Sequence, residues 1–491
     1  MGGSRCPRRC VLSLAGAAAR GGFATLTAQL IRAAIQFASI AVLARLLDQT
    51  DFGLVTMSLA IVGVASVVSD FGLSMAAIQS QTITHQQRSN LFWTNVGIGV
   101  ALFAATFFAA PWISDFYDQP DVLPITQVLA TTFLLGAVSA QFRAEATVRL
   151  RFTWLAVSDI VPPAVALVAA VFLASAGAEY WALVAQQVMV AALTLLILIA
   201  AAKWVPGLPR RGHGMKALYT FGANSFAVQT LAYVTGNIDS VLIGRTWGAQ
   251  QLGIYDRAFR LFSLPLQQIA APMTRVAMPV LSKLQDDPRY EPYLLRAQTM
   301  LGYTFAGSLL LLAGCAGPII DILLGPGWES AKPIFAALAV GGVFQGIGYV
   351  YYWIFQSRAL TGVQLRWSIL TRSLSIALMV IGVTWGPIGV AVASSIGQLL
   401  NWSLLTLFPV RAAKVRRLPL IKAALRPIAV FGPLSVGLWL LSVFLLHDVS
   451  APLELFILVI TASAYAALCA VVPAVRADYA SIWDSAKRLR S

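Results

Sequence analysis

The sequence predicts an all-α polytopic membrane protein of about fourteen transmembrane helices. Composition is the first observation behind this. Of 491 residues, 58% are hydrophobic and 11% charged, with a mean hydropathy of +0.76. Soluble domains carry about 25% charged residues, so this chain is too poor in charge to solvate a water-facing surface. Apolar runs near the ~20 residues that a bilayer-crossing helix needs recur along nearly the whole chain. Basic residues, finally, concentrate on alternate connections between those runs.

The runs place spans at 23–46, 52–78, 90–111, 124–142, 156–175, 181–202, 218–241, 257–281, 295–317, 333–356, 367–384, 387–409, 427–446 and 452–472. A short Trp385-Gly386-Pro387 turn divides the eleventh from the twelfth. A closed β-barrel is excluded, because its strands would alternate polar and apolar residues and these runs do not.

The net charge of +15 is placed by topology, with no nucleic-acid partner expected. With the N-terminus cytoplasmic, the tails and even-numbered turns hold Arg8, Arg9, Arg88, Arg149, Arg210, Arg211, Lys283, Arg289, Arg358, Arg416, Arg417 and Arg488 among others. The opposite side keeps Arg45, Arg245, Arg257 and Lys332 and is rich in acids, including Asp48, Asp51, Asp115, Asp118, Asp121, Glu179 and Glu329. The positive-inside rule then sets both termini in the cytoplasm. Residues 5–19, arginines followed by a short apolar stretch, imitate a secretory leader. A full span follows at once, so they read as a tail, with a cleaved signal as the alternative.

Seven segments follow: a cytoplasmic tail, 1–20; a six-span N-lobe, 21–205; an inter-lobe linker, 206–216; a six-span C-lobe, 217–410; a basic cytoplasmic loop, 411–426; two further spans, 427–472; and a cytoplasmic tail, 473–491. An internal repeat supports the two lobes. LARLLDQTDFGLV at 43–55 aligns with IGRTWGAQQLGIY at 243–255, so Arg45 meets Arg245 and Gly53 meets Gly253. Gln29 meets Gln229 in the same register. Parallel repeats of this kind build central cavities in transporters.

The loops are too short for a soluble catalytic domain, so the chemistry lies among the helices. There is no GxxxxGK[ST] loop, no HExxH and no GxSxG. The three histidines, His85, His213 and His447, sit in separate loops, and Cys6 and Cys10 have no metal-binding companions. No metal site, cofactor or catalytic residue is expected.

Ionisable groups within a span cost on the order of 2.5–3.5 kcal/mol even on mild scales, and so face the protein interior or water. In the first span Gln29, Arg32 and Gln36 share a helix face. In the eighth, Asp256, Arg260 and Gln267 share one, with Arg275 about 60° away. Pro265, Pro272 and Pro279 should bend that helix. The seventh carries Gln229 and Asp239, and the second carries Asp70 near its inner end. On a functional reading, Arg32, Arg260 and Arg275, with Gln29, Gln36, Gln229 and Gln267, line a cationic cavity for a phosphate or diphosphate. On the plainer one each arginine pairs with a carboxylate or reaches an interface. Asp239 and Asp70 are candidates for ion coupling, with an Asp239–Arg245 pair as the alternative.

The stretch from Asp239 to Asp287, DSVLIGRTWGAQQLGIYDRAFRLFSLPLQQIAAPMTRVAMPVLSKLQDD, resembles the polysaccharide transporters of the multidrug/oligosaccharidyl-lipid/polysaccharide exporter superfamily. It is most similar to Wzx-type flippases of the colanic-acid exporter branch. ARLLDQTDFGLV and SDFGLSMAAIQ in the N-terminal half resemble the same family. The resemblance implies a two-lobed, MATE-like, V-shaped bundle around a central cavity. It implies a flippase that moves an undecaprenyl-diphosphate-linked oligosaccharide across the bacterial inner membrane for exopolysaccharide, capsule or O-antigen synthesis. It further implies a monomer whose partners are the lipid-linked oligosaccharide, membrane lipids, and a polymerase and chain-length regulator of the same pathway. A multidrug or small-cation exporter on the same scaffold is the first alternative. A membrane-bound polymerase, ligase or glycosyltransferase is the second, though it would need a large outer loop.

Overall fold

The computed structural model describes residues 27–70, 84–210, 215–413 and 415–488, without the side chains of 64–70, 216–232, 234 and 481–488. The N-terminal tail, Cys6, Cys10 and His213 therefore lie outside the described residues, as do the side chains of Gln229 and Asp70. Among the described residues the chain is helical, with no strand. The helices are α1 (Thr27–Leu43), α2 (Gln49–Asp70), α3 (His85–Tyr117), α4 (Val122–Val148), α5 (Phe152–Ser175), α6 (Tyr180–Ala201), α7 (Lys216–Lys283), α8 (Tyr290–Gly314), α9 (Ala316–Leu323), α10 (Ala331–Ile347), α11 (Tyr349–Ser357), α12 (Thr361–Gly382), α13 (Gly386–Leu407), α14 (Arg417–Leu445), α15 (Ala451–Cys469) and α16 (Pro473–Arg488).

Where they are described, the segments expected to span are mostly helix. By length and apolarity alone, eight described helices can cross a bilayer, or nine if the pair α8–α9, bent by 75°, is one span. At ~1.5 Å per residue, α3 reaches about 50 Å, well beyond the ~30 Å hydrocarbon layer. Its ends therefore need polar capping. Thr84 and Gln87 form a reciprocal capping box at its start (3.1 and 3.0 Å), and Asp118 closes its end in the left-handed conformation.

The prolines do not mark the departure from helical geometry in α7. Pro265, Pro272 and Pro279 lie inside continuous helix, and the run is broken instead at Gly248 (φ 78°, ψ −177°). Proline's φ is itself helical, so its cost is a missing hydrogen bond; a positive φ of this kind calls for glycine. The C-terminal tail also differs from a plain tail. Its helix α16 docks through Asp478, which accepts hydrogen bonds from the Tyr303 hydroxyl at 3.0 Å and from Arg426 at 2.8 Å.

The chain divides into two compact units, residues 1–253 and 254–491. In the first, α3 packs on α4, α4 on α6 and α5 on α6. In the second, α8 packs on α10, α10 on α13 and α12 on α13. These are the same three pairings between corresponding spans of the two halves. Left-handed residues also recur at corresponding helix ends: Asp118 with Gly325, Leu150 with Ala359, and Gly177 with Gly386. The repeat seen in a short stretch of sequence thus extends through the packing. The second unit adds α14 against α8 and α15 against α9.

Lipid is as apolar as leucine, so helix association here relies on close contact and hydrogen bonds. Thr126 donates to Ser58 at 3.2 Å between α4 and α2, and Ser395 to the Ala337 carbonyl at 2.7 Å between α13 and α10. Phe108, Phe172 and Leu445 are exposed, as lipid-facing side chains should be.

Candidate translocation site

On α1, Gln29, Arg32, Gln36, Ile40 and Leu43 follow one face. Ile40 and Leu43 are buried, Gln29 and Gln36 half-buried, and Arg32 exposed. Burial on this face falls off toward the first turns, where the three polar residues lie. Ser39, one position from that face, accepts a hydrogen bond from Gln186 of α6 at 3.1 Å and so orients α1 on the first unit.

In the second unit, Asp256 is the centre of a charge cluster one turn after Gly253. Both of its oxygens accept from Arg260 Nε, at 2.9 and 2.8 Å, and it also accepts from Arg257 Nε at 3.1 Å. Asp256 and Arg257 are buried, whereas the Arg260 side chain is 41% exposed. The i, i+4 spacing of Asp256 and Arg260 puts the two side chains side by side on the helix. One carboxylate therefore serves two guanidinium groups, and the outward-reaching one is Arg260. Arg275 and Gln267, further along the same run, are exposed. Thr274, beside Arg275, accepts from the Trp353 indole at 3.1 Å, which fixes this part of α7 against α11.

Asp239 is buried and accepts from the Ser240 backbone N–H at 2.8 Å. Arg245 lays its guanidinium over the Phe116 ring, 5.8 Å from the centroid, a favourable cation–π placement. In the first unit Arg32 shares a helix face with Gln29 and Gln36, and in the second Arg260 pairs with Asp256.

Sequence reasoning missed a second set of charges at the arginine-rich end. Glu145, buried near the end of α4, pairs with Arg149 at 2.9 Å and faces Arg88 of α3 at 3.7 Å. Arg143 pairs with Asp159 across to α5. Glu145 was visible as a lone acid four residues before an arginine. Between α7 and α8, hydrogen bonds from Arg289 hold the Asp287 carboxyl down to about 2.

The described chain that leads from α6 into the expected linker, residues 203–210, is held by more contacts than its composition suggests. It runs without helix along the first turns of α3. Asn90 donates to the Arg210 carbonyl at 2.7 Å and accepts from the Arg210 N–H at 2.9 Å. Trp93 and Gln86 donate to the Gly207 and Leu208 carbonyls, each at 2.8 Å, and Ser89 accepts from the Gly207 N–H at 3.0 Å. Trp204 anchors the strap among Phe92, Phe142 and Leu198.

Residues 42–333 match the family described as "Polysaccharide biosynthesis protein". The chain is 27% identical over 368 residues, 73% of its length and 74% of the relative's, to the lipopolysaccharide biosynthesis protein WzxC of Escherichia coli. It is 30% identical over 291 residues, 57% of this chain and 59% of the relative, to the teichuronic acid biosynthesis protein TuaB of Bacillus subtilis. The succinoglycan biosynthesis transport protein ExoT of Rhizobium meliloti is 24% identical over 310 residues, 62% of each chain. Among solved structures, the lipid II flippase MurJ in an inward closed conformation superposes with a TM-score of 0.73, covering 92% of this chain and 98% of that one at 14% identity. A multidrug resistance MATE family transporter of the MOP superfamily, inward-facing, gives 0.61 over 79% and 98% at 13% identity. These likenesses establish the fold. With a family match over more than half its length, this multi-pass membrane chain, helical throughout its described segments, belongs to the polysaccharide biosynthesis protein family.

Proposed function

We propose that the chain flips an undecaprenyl-diphosphate-linked oligosaccharide across the bacterial inner membrane by alternating access, with both termini in the cytoplasm. The observation that carries this reading is the Asp256–Arg257–Arg260 cluster on α7, in which the carboxylate and one guanidinium are buried. Charges kept at such cost mark a transport path by default. Arg260 reaches outward from the cluster, and Arg32 stands exposed beside two glutamines on α1. Guanidinium forks match diphosphate oxygens, so Arg32 in the first unit, and Arg260 with Arg275 in the second, are the groups that would meet the headgroup during passage. The relatives are named for lipopolysaccharide, teichuronic acid and succinoglycan, three different polymers. A shared diphosphate carrier, rather than a shared sugar, is the feature that one site type would recognise across them. Asp239, buried on α7, is the candidate for ion coupling. Lys and Arg clustering on one side supports the orientation.

The test is export of the host's surface polysaccharide by a strain in which Arg32→Ala or Arg260→Ala replaces the natural chain. Loss of export with normal membrane insertion is expected for each. Full export by both variants would remove the arginines from the path.

A further inference from the structure

The two stretches that carry the internal repeat pack on one another within the first unit. A Cβ on Gly53 would lie 1.7 Å from the carbonyl oxygen of Ala249, and a Cβ on Gly253 would lie 1.8 Å from that of Gln49. In the repeat register residue 249 corresponds to 49 and residue 253 to 53. Each half therefore offers the same carbonyl to the other's glycine, the reciprocity of a contact across a two-fold axis. Gln250 Nε2 also donates to Gln49 Oε1 at 3.2 Å. The clashing atoms are backbone, so no rotamer change could admit a side chain at either glycine. Gly248, with φ 78°, turns the chain so that Ala249 reaches α2. Asp48 and Asp51 flank the contact, which places it at the acid-rich end of the chain; there the Asp48 N–H donates to the Asp51 carboxylate at 3.1 Å.

We infer that Gly53 and Gly253 form a latch that closes the outer end of the transport path and parts when cargo leaves. The inference rests on reading the chain as a flippase, because alternating access needs an end that closes and opens. A backbone-to-backbone contact suits that task. It holds two helices at one discrete distance, and no side chain has to be withdrawn when they separate.

The test uses the full chain in lipid nanodiscs, with its four cysteines replaced and spin labels at the exposed positions Thr50 and Thr246. Gly53→Leu and Gly253→Leu should each move most of the distance distribution to longer values. Gly97→Leu, at a glycine with open space around it, should leave the distribution as in the parent. Unchanged distances in both latch variants would overturn the inference. If those variants do not fold, a Gln49→Cys/Gln250→Cys pair keeps the question decidable. Oxidation of that pair should block polysaccharide export and reductant should restore it; full export through the oxidised pair would overturn the latch. Lengthened distances in a protein whose deletion leaves export intact would keep the latch and sink the flippase reading.

Discussion

At Asp256 a single buried carboxylate faces two guanidinium groups, and the two play different parts. Arg257 is buried with its partner, so Asp256→Ala leaves a buried charge uncompensated. Breaking such a pair costs about 3–5 kcal/mol. Arg260 is 41% exposed, and its removal leaves Asp256 still paired with Arg257; the folding cost should be about 1 kcal/mol or less. Thermal unfolding in detergent should therefore show a large loss for Asp256→Ala and a small one for Arg260→Gln, while export is lost in both. The reverse order of stabilities would make Arg260 a structural partner rather than a headgroup contact. Spacing alone placed Asp256 and Arg260 on one face. Arg257, at the first residue of the expected eighth span, was sorted to the outer side by topology, and neighbours on a helix point about 100° apart. Only the folded arrangement shows a long guanidinium reaching back to the same carboxylate.

The linker strap shows what an element gains from contacts far away in sequence. Pro206 and Pro209 keep 203–210 out of helix, and composition predicts no more than a connection. Its order comes from Gln86, Ser89, Asn90 and Trp93, all on α3 and more than a hundred residues earlier, a pairing that local sequence does not encode. Asn90→Ala removes both bonds to Arg210, worth about 1–3 kcal/mol together at typical net values. Local opening should rise by roughly 5- to 150-fold, read as faster amide exchange over 204–210 or faster tryptic cleavage after Arg210. Unchanged exchange would show that the bonds from Gln86, Ser89 and Trp93, with the Trp204 cluster, hold the strap without Asn90. The same argument explains α16. Its polar sequence announces a tail, and its docking depends on Tyr303 and Arg426.

Across the whole molecule, fold class was the most legible property, because low charge and long apolar runs leave few solvents and few architectures open. The repeat was legible only around Gly53 and Gly253, where backbone contact demands a residue type. Elsewhere it persists as helix pairings and left-handed turns built from different residues, such as Leu150 and Ala359. Site chemistry was less legible, since an arginine in a span reads alike whether it meets cargo or carboxylate. Arg32 and Arg260 carry that question. Purified protein in liposomes, given a polyprenyl-diphosphate oligosaccharide, should equilibrate the sugar between leaflets, as read by an impermeant glycosidase. Arg32→Ala and Arg260→Ala should fall to the rate of empty liposomes. Equal, rapid equilibration by both variants and the parent would contradict a path that recognises diphosphate through these two side chains.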